Sequence, residues 1–407
     1  MVVYRGFSLR RLVAAALIAA ALPGMAAAQM PDGWPDLRDW PAIATAAHDQ
    51  TVRLALTGDG TADPDFLEWA ATELQARFGV RLDLVELPSD MAALEALRGE
   101  EPAPFDLAAV GSVAVARARM ENLLPGRFAF RLPNWQFVDV AKHPSLLQAA
   151  GLPTRYGAVP LGLRRVTLYA NTRATSARPD TPEAILTYAR ANPGRFAIVD
   201  PAAPDGEAFL EEMLFALADD PSLLQAPVKD ADAEAVAQPL MDWLDTIRPL
   251  LWQEGQAFPA NGAEARRLLA EGSVDMIADF DPLPGGAGSP SADGGGGEIA
   301  GFGLAVGGMV DAHFLLIDRD TPVPAAALVV ADFLMSPQAQ IRKADPALWG
   351  DASVLALSAL PAEDAARLRQ AMAPAIGFGP RDIAIPRPHI SWIDWLRPAV
   401  AARLSAQ

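Results

Sequence analysis

The chain of 407 residues contains no cysteine, and its 50 acidic residues outnumber its 33 lysines and arginines. Without cysteine there is no disulfide, no thiolate metal site and no cysteine nucleophile. Histidine is scarce as well. His48, His143, His313 and His389 lie far apart, none paired at ligand spacing, which argues against a metal centre built on imidazole. Ferric capture by phenolates fares no better, since only Tyr156, Tyr169 and Tyr188 follow the N-terminal Tyr4 and none are adjacent. A formal net charge of -17 lacks the basic footprint that nucleic acids and anionic membranes require. Neither a G-x-S-x-G elbow nor a Walker motif occurs. In "GFGLAVGG" (Gly301 to Gly308) the third glycine comes one residue late for a dinucleotide fingerprint, and no acid stands at the expected strand end. No cofactor and no enzyme chemistry is expected.

What is present begins with a leader. Arg5, Arg10 and Arg11 precede the apolar run "LVAAALIAAAL" (Leu12 to Leu22), and small residues at Ala26 and Ala28 stand before Gln29. This is the layout of a secretory signal peptide over residues 1–28, and the run is too short to span a bilayer. Cleavage near Ala28/Gln29 places the mature chain in the periplasm of a two-membrane bacterium. Sec and twin-arginine export stay open.

The mature chain alternates strands with helices. "TVRLAL" reads as a strand, and "DPDFLEWAATELQARFG" as a helix with Asp63 as cap, Pro64 in its first turn and Gly79 as its stop. "VRLDLVEL", "DMAALEALRG", "FDLAAV" and "SVAVARARM" continue the rhythm, which implies a parallel sheet with helices on both faces. A second unit opens near "GAVPLGLRRVTLYANT" (Gly157 to Thr172), with further helices and the strands "RFAIVD" and "VDMIADF". A glycine-rich loop, "PGGAGSPSADGGGGE", then precedes the strand "AHFLLI". The domain reading is lobe 1 over 29–165, lobe 2 over 166–302, a return to lobe 1 over 303–345 and a helical segment over 346–407.

Open parallel sheets bind ligands at the carboxyl ends of their strands. Polar loops at those ends supply the candidate ligand-binding residues: Asp59, Gly60, Asp90, Ser112, Asp205, Asp279, Phe280 and Asp281, with Arg164 at the crossing between lobes. The acids would neutralise a cationic group, Phe280 would stack on a ring, and Arg164 would meet an anion. Turn and cap chemistry is the better account of any one of these loops alone; their shared position at strand ends tilts the sum toward a cleft.

One stretch carries no reactive group yet is sharply punctuated. "PAAALVVADFLMSPQAQ" is a small-sided helix stopped at a Ser-Pro pair, where Ser336 caps a second helix and Pro337 opens it. It resembles the signature of the extracellular solute-binding proteins of bacterial ABC importers. "VPLGLRRVTLYANT" is similar to that family's crossover between lobes. "LPNWQFVD", "AFLEEML", "LLWQEGQAFP" and "FLMSPQAQIRKADPALWGDASVL" resemble its YnjB-type branch over nearly the whole mature chain. That branch is loosely similar to thiamine- and iron-binding relatives.

The resemblance implies an α/β fold of type II, two hinged lobes with a ligand cleft between them. It implies a monomeric periplasmic binding component that captures a small solute and delivers it to an ABC permease. The acids slightly favour an organic cation. Two departures stand out: "LTGDG" replaces the branch's Trp-Gly-Gly-Asp run, and "VGSVAV" replaces its Trp-x-Asn-Gly-x-Asn-Phe run. Thiaminase-like enzymes of similar fold use a cysteine that this chain lacks. The rival readings are a periplasmic enzyme on the same fold and a sensor that docks to a receptor.

Overall fold

A computed structural model describes residues 30–58, 64–99, 102–228, 230–280, 299–345, 348–372 and 384–405. The leader, Asp59, Gly60, Asp63, Asp281 and the whole glycine-rich loop lie outside the described residues.

In chain order, α1 (Trp40–Ala47) and β1 (Thr51–Thr57) are followed by α2 (Pro64–Phe78), β2 (Arg81–Leu87), α3 (Asp90–Arg98), β3 (Leu107–Gly111) and α4 (Ser112–Met120). The short strands β4 (Gln148–Ala149) and β5 (Leu152–Pro153) precede β6 (Val159–Arg165) and β7 (Thr167–Asn171). Then come α5 (Pro182–Ala191), β8 (Phe196–Ile198), α6 (Pro204–Leu217), α7 (Asp230–Ile247), α8 (Gly262–Ala270), β9 (Met276–Asp279) and β10 (Ile299–Phe302). The remainder is β11 (Gly308–Ile317), α9 (Pro324–Leu334), α10 (Pro337–Lys343), α11 (Ala362–Met372), β12 (Ala384–Pro386) and α12 (Ile390–Ser405).

Two sheets divide these strands. The first runs β12-β11-β3-β1-β2, with β6 on the other side of β11; the second runs β10-β7-β9-β8. β1 is parallel to β2 and β3, while β11 lies antiparallel to β3 and β6. The chain passes between sheets twice, and the two passages run side by side. Val166 between β6 and β7 donates its N–H to Met309 (3.0 Å), and β10 pairs with β7 just as β11 pairs with β6. A pair of adjacent strands shared by two otherwise separate cores is a hinge in physical terms, since bending it disturbs few packed side chains.

The small-sided helix explains itself in this setting. Every residue of α9 from Ala325 to Leu334 is buried, so it has no solvent face to bias with charge. Its alanines let α1 and the sheet approach closely, and the buried Leu and Phe side chains each contribute roughly 1.5–3 kcal/mol. The Ser336 side chain accepts from the Ala339 N–H, and Pro337 begins α10. The hydrophobic staircase Phe66–Trp69–Phe333 connects α2 to α9, with ring centroids 5.7 Å apart at each step.

The separate stretches that carry the family resemblance meet in space. Asp332 of α9 accepts from the Asn134 backbone N–H and from its side-chain amide, both at 2.8 Å. Gln340 of α10 donates to the carbonyls of Leu161 and Leu334 and accepts from the Val354 N–H. Lys343, with no exposed side-chain surface, reaches Asp351 at 2.5 Å, and His313 lies 2.9 Å from the same carboxylate oxygen. Trp349 stacks on His313, with an interplanar angle of 15°. Gly162 is required beneath them, because a Cβ there would sit 2.0 Å from the Asp351 carboxylate. Residues 351–355 are thereby strapped along the outer edge of β6.

The C-terminal stretch differs from the helical segment expected. Between α11 and α12 it forms β12, which pairs with β11 from Gly308 to Val310. Three residues, the last of them a proline, give no period to read. α12 then crosses to the other lobe, where Trp392, Leu396 and Val400 join the core containing Phe209, Trp243 and Leu244.

Candidate functional site in the interlobe cleft

The carboxyl-end edge of the first sheet forms one wall. Asp90 opens α3 behind the Ser89 cap, and its carboxylate reaches sideways across two strands. One oxygen accepts from the Thr57 hydroxyl at 2.8 Å, the other from the Gly111 N–H at 2.7 Å. Ser112, fully buried at the start of α4, donates its hydroxyl to Asp311 of β11 at 2.7 Å. Asp311 stands opposite Arg164 in the β11–β6 register, so these side chains share one end of the sheet.

The second wall belongs to the other lobe. Arg164 leaves β6 with its guanidinium 4.5 Å from the centre of the Phe280 ring and 2.6 Å from Asp205 in the first turn of α6. The other Asp205 oxygen accepts from Gly262 N–H, at the start of α8. Arg266 of α8 pairs with Asp279 at 2.6 Å, and Asp279 also accepts from the Phe280 N–H. A Cβ on Gly262 would lie 2.5 Å from an Asp279 oxygen, so glycine lets the α8 N-terminus approach the strand end. Gly206 does the same for α6, where a Cβ would lie 2.1 Å from the Asp200 carbonyl oxygen.

Behind the walls a charged cluster joins the lobes. Arg387, just past β12, clasps Glu211 of α6 bidentately, its Nε 2.8 Å from one carboxylate oxygen and its Nη2 on the other. It also reaches Asp311 at 3.2 Å and Glu207 at 3.6 Å. Arg397 of α12 holds Glu207 bidentately at 2.9 and 3.1 Å. Burial pushes the Glu211 carboxyl up to about 7, against the pull of Arg387. Burial works against the Arg387 charge too, yet Glu211 and Asp311 outweigh it and hold that group above its ordinary value. One residue further along α6, burial takes Glu212 up to about 8, opposed by the Met309 N–H at 2.6 Å and the charge of Arg165.

Of the residues singled out in the sequence, the fold brings Arg164, Asp205, Asp279 and Phe280 into one cluster and places Asp90 and Ser112 on the facing lobe. Asp279 and Phe280 are almost wholly buried, at 1% and 2% exposure, so a ligand would meet them through Arg164 and Arg266 and not directly. Sequence reasoning missed Arg266, Glu207, Glu211, Asp311 and Arg387. One signal was available for three of them. Glu207 and Glu211 stand four apart on a helix face among apolar residues, and Asp311 interrupts an apolar strand.

Two comparisons decide the family. The sequence pattern of the bacterial extracellular solute-binding proteins matches residues 69–367. Protein YnjB of Escherichia coli (strain K12) is 34% identical over 368 residues, covering 88% of this chain and 92% of YnjB. The chain belongs to the bacterial extracellular solute-binding proteins.

Solved members of that fold superpose over most of this solute-binding protein. The spermidine/putrescine ABC transporter substrate-binding protein PotD of Streptococcus pneumoniae gives a TM-score of 0.57 at 13% identity, covering 88% of this chain and 99% of PotD. Maltose-bound MalE3 of T. maritima gives 0.61 at 14% identity, covering 88% and 95%. At such identities these likenesses speak for the two-lobe α/β fold. The protein is thus a bacterial extracellular solute-binding protein with the two-lobe α/β fold. Among the described residues no helix is long and apolar enough to cross a membrane.

Proposed function

We propose that this solute-binding protein captures a small organic cation between its lobes in the periplasm and delivers it, as a monomer, to an ABC permease. The carrying observation is the charge of the facing edges. Asp90, Asp205 and Asp279 outnumber Arg164 and Arg266 at the walls, and Glu207, Glu211 and Asp311 outnumber Arg387 and Arg397 behind them. A cation entering there meets a surplus of carboxylate, in a region where low solvent access strengthens the attraction. Asp59, Gly60 and Asp281 join this proposed cleft on sequence grounds alone. PotD of Streptococcus pneumoniae is named for spermidine and putrescine, cations of the same chemical class.

The test is a thermal-shift screen followed by calorimetry with putrescine, spermidine, choline-like cations, thiamine, amino acids, maltose and oxyanions. A saturating ligand at a hundredfold excess over Kd stabilises the folded state by about 2.7 kcal/mol, a readable shift. One cation class should bind, and Asp205→Asn or Asp90→Asn should weaken it about tenfold, equivalent to roughly 1.4 kcal/mol. Binding of a neutral sugar or an anion, unaffected by either substitution, would overturn the cation reading and leave the family intact.

A further inference from the structure

The lobes of this protein are tied together by more than two crossing strands. The C-terminal stretch makes a third connection: β12 adds to the first sheet, α12 packs into the core of the second lobe, and Arg387 sits between them. From that point an unbroken chain of polar contacts runs through the molecule. Ser112 of lobe 1 donates to Asp311 at the hinge, Asp311 meets Arg387, and Arg387 clasps Glu211 of lobe 2. None of these four side chains is more than slightly exposed, so water does not substitute for a contact that breaks.

We infer that this Ser112–Asp311–Arg387–Glu211 chain is an interlobe latch whose strength is set by one proton on the cluster. The charge count motivates the proton. Three carboxylates, Glu207, Glu211 and Asp311, surround Arg387, and Arg397 is the second cation, bound to Glu207 from the partly exposed side. The cluster therefore holds one more negative than positive group in a buried setting, and a proton balances it. Glu211 is the natural acceptor, being wholly buried, while Glu207 has Arg397 as well and Asp311 has the Ser112 hydroxyl. The neighbouring groups are the Glu212 carboxyl, on the Met309 N–H, and Arg165 beside it.

With Glu211 ionised, its two charge-assisted bonds to Arg387 hold α6 against the hinge strand. With Glu211 protonated, one oxygen becomes a hydroxyl, the bidentate pair is lost, and the third connection slackens. The lobes then sample a wider range of separations. The position of the Glu211 carboxyl, about 7, puts the switch where a periplasm open to the surroundings changes pH. This inference rests on the two-lobe fold and not on the identity of the cargo.

The chain has no native cysteine, so a pair introduced as Gln75→Cys on α2 and Thr187→Cys on α5 labels two exposed sites alone. Interlobe distances by double electron–electron resonance are then compared between about pH 5.5 and about pH 8.5, well to either side of the titration. The unliganded protein should show a broader distribution, shifted to longer distances, at the lower pH. Glu211→Gln, a neutral isostere that keeps the fold, should give the broad low-pH distribution at both values. Arg387→Met should do the same if it folds. A distribution unchanged with pH would overturn the latch and leave the cluster as structural cement. An equal pH shift in Glu211→Gln would overturn the assignment of the proton to Glu211.

Discussion

Two buried ionic clusters of this solute-binding protein make opposite use of charge. The Lys343–Asp351–His313 cluster lies within one lobe, under the Trp349 indole, and gathers two basic side chains on one carboxylate. The Arg387 cluster lies between lobes and gathers three carboxylates around one guanidinium, with a second at its rim. Burial alone would raise the Asp351 carboxyl, but His313 and Lys343 outweigh it and hold it below the usual carboxylate range. Beside Arg387 the outcome reverses, and Glu211 and Glu212 are pushed up. Two basic neighbours hold the Asp351 carboxylate in its ionised form; burial, only partly offset by nearby cations, leaves Glu211 and Glu212 able to take protons near neutrality. The first suits a strap that must not move, the second a joint that does.

The comparison breaks most readily at the pin. Asp351→Ala leaves the Lys343 ammonium buried without its counter-charge, and about 3–5 kcal/mol of stability should be lost in urea denaturation. A loss below about 1 kcal/mol would mean that Lys343 escapes to water and the strap is loosely held.

The pH dependence sharpens the contrast next, and the two clusters have opposite signs. Asp351 is depressed in the folded state, so its contribution is present above the ordinary Asp range and is lost as acid protonates it. Glu212 is raised to about 8, so the folded chain binds a proton that the unfolded chain has released above about 4.5. Stability should therefore fall as pH rises between those two values, at about 1.4 kcal/mol per pH unit for that one group. Glu212→Gln should remove that group's share, flattening the slope between about 7 and about 8, above the range in which Glu211 adds its own, while Asp351→Asn leaves it in place. An unchanged slope in Glu212→Gln would place the titrating group elsewhere.

A smaller effect is expected at the cleft wall. Gly262→Ala forces a methyl group toward the Asp279 carboxylate, displacing α8 at a cost of about 1–3 kcal/mol and weakening ligand binding with it. Wild-type stability and affinity in that variant would show that the α8 N-terminus moves freely. The smallest is Ser336→Ala, which removes the α10 cap and should cost about 1 kcal/mol without touching affinity. A change in affinity there would connect the lobe 1 helices to the cleft.

The strand-helix order was legible because its periods are strong. Val52, Leu54 and the apolar face of α2 announce their elements, and Ser89, Thr181, Asn261 and Ser336 each cap the helix they precede. The long stretch from Phe333 to Leu355 was legible as a resemblance, but not for what it builds. Nothing in the spacing of Lys343 and Asp351 says that the ammonium is buried, since lysine at the end of a helix is ordinarily solvated and favoured by the helix dipole. The cleft residues share this limit. Asp205 and Asp279 stand at strand ends as parallel sheets dictate, yet their pairing with Arg164 and Arg266 depends on how α6 and α8 pack. Arg387 was the least visible, because β12 is too short to carry a period and its partner helix lies far back in the chain.

The position of β11 in the middle of the first sheet bears on how the protein reaches its native state. Ser112 and Asp311, joined in that sheet's edge, are 199 residues apart in sequence. The first lobe cannot close its sheet until the whole second lobe has emerged behind it. A chain delivered amino end first would therefore complete its second lobe early and its first lobe late. Long-range pairing of this kind slows folding because loop closure precedes the contacts that reward it. Were the chain exported unfolded, slow closure of the first lobe would be an asset: the half that leads the way out is the half that stays open longest.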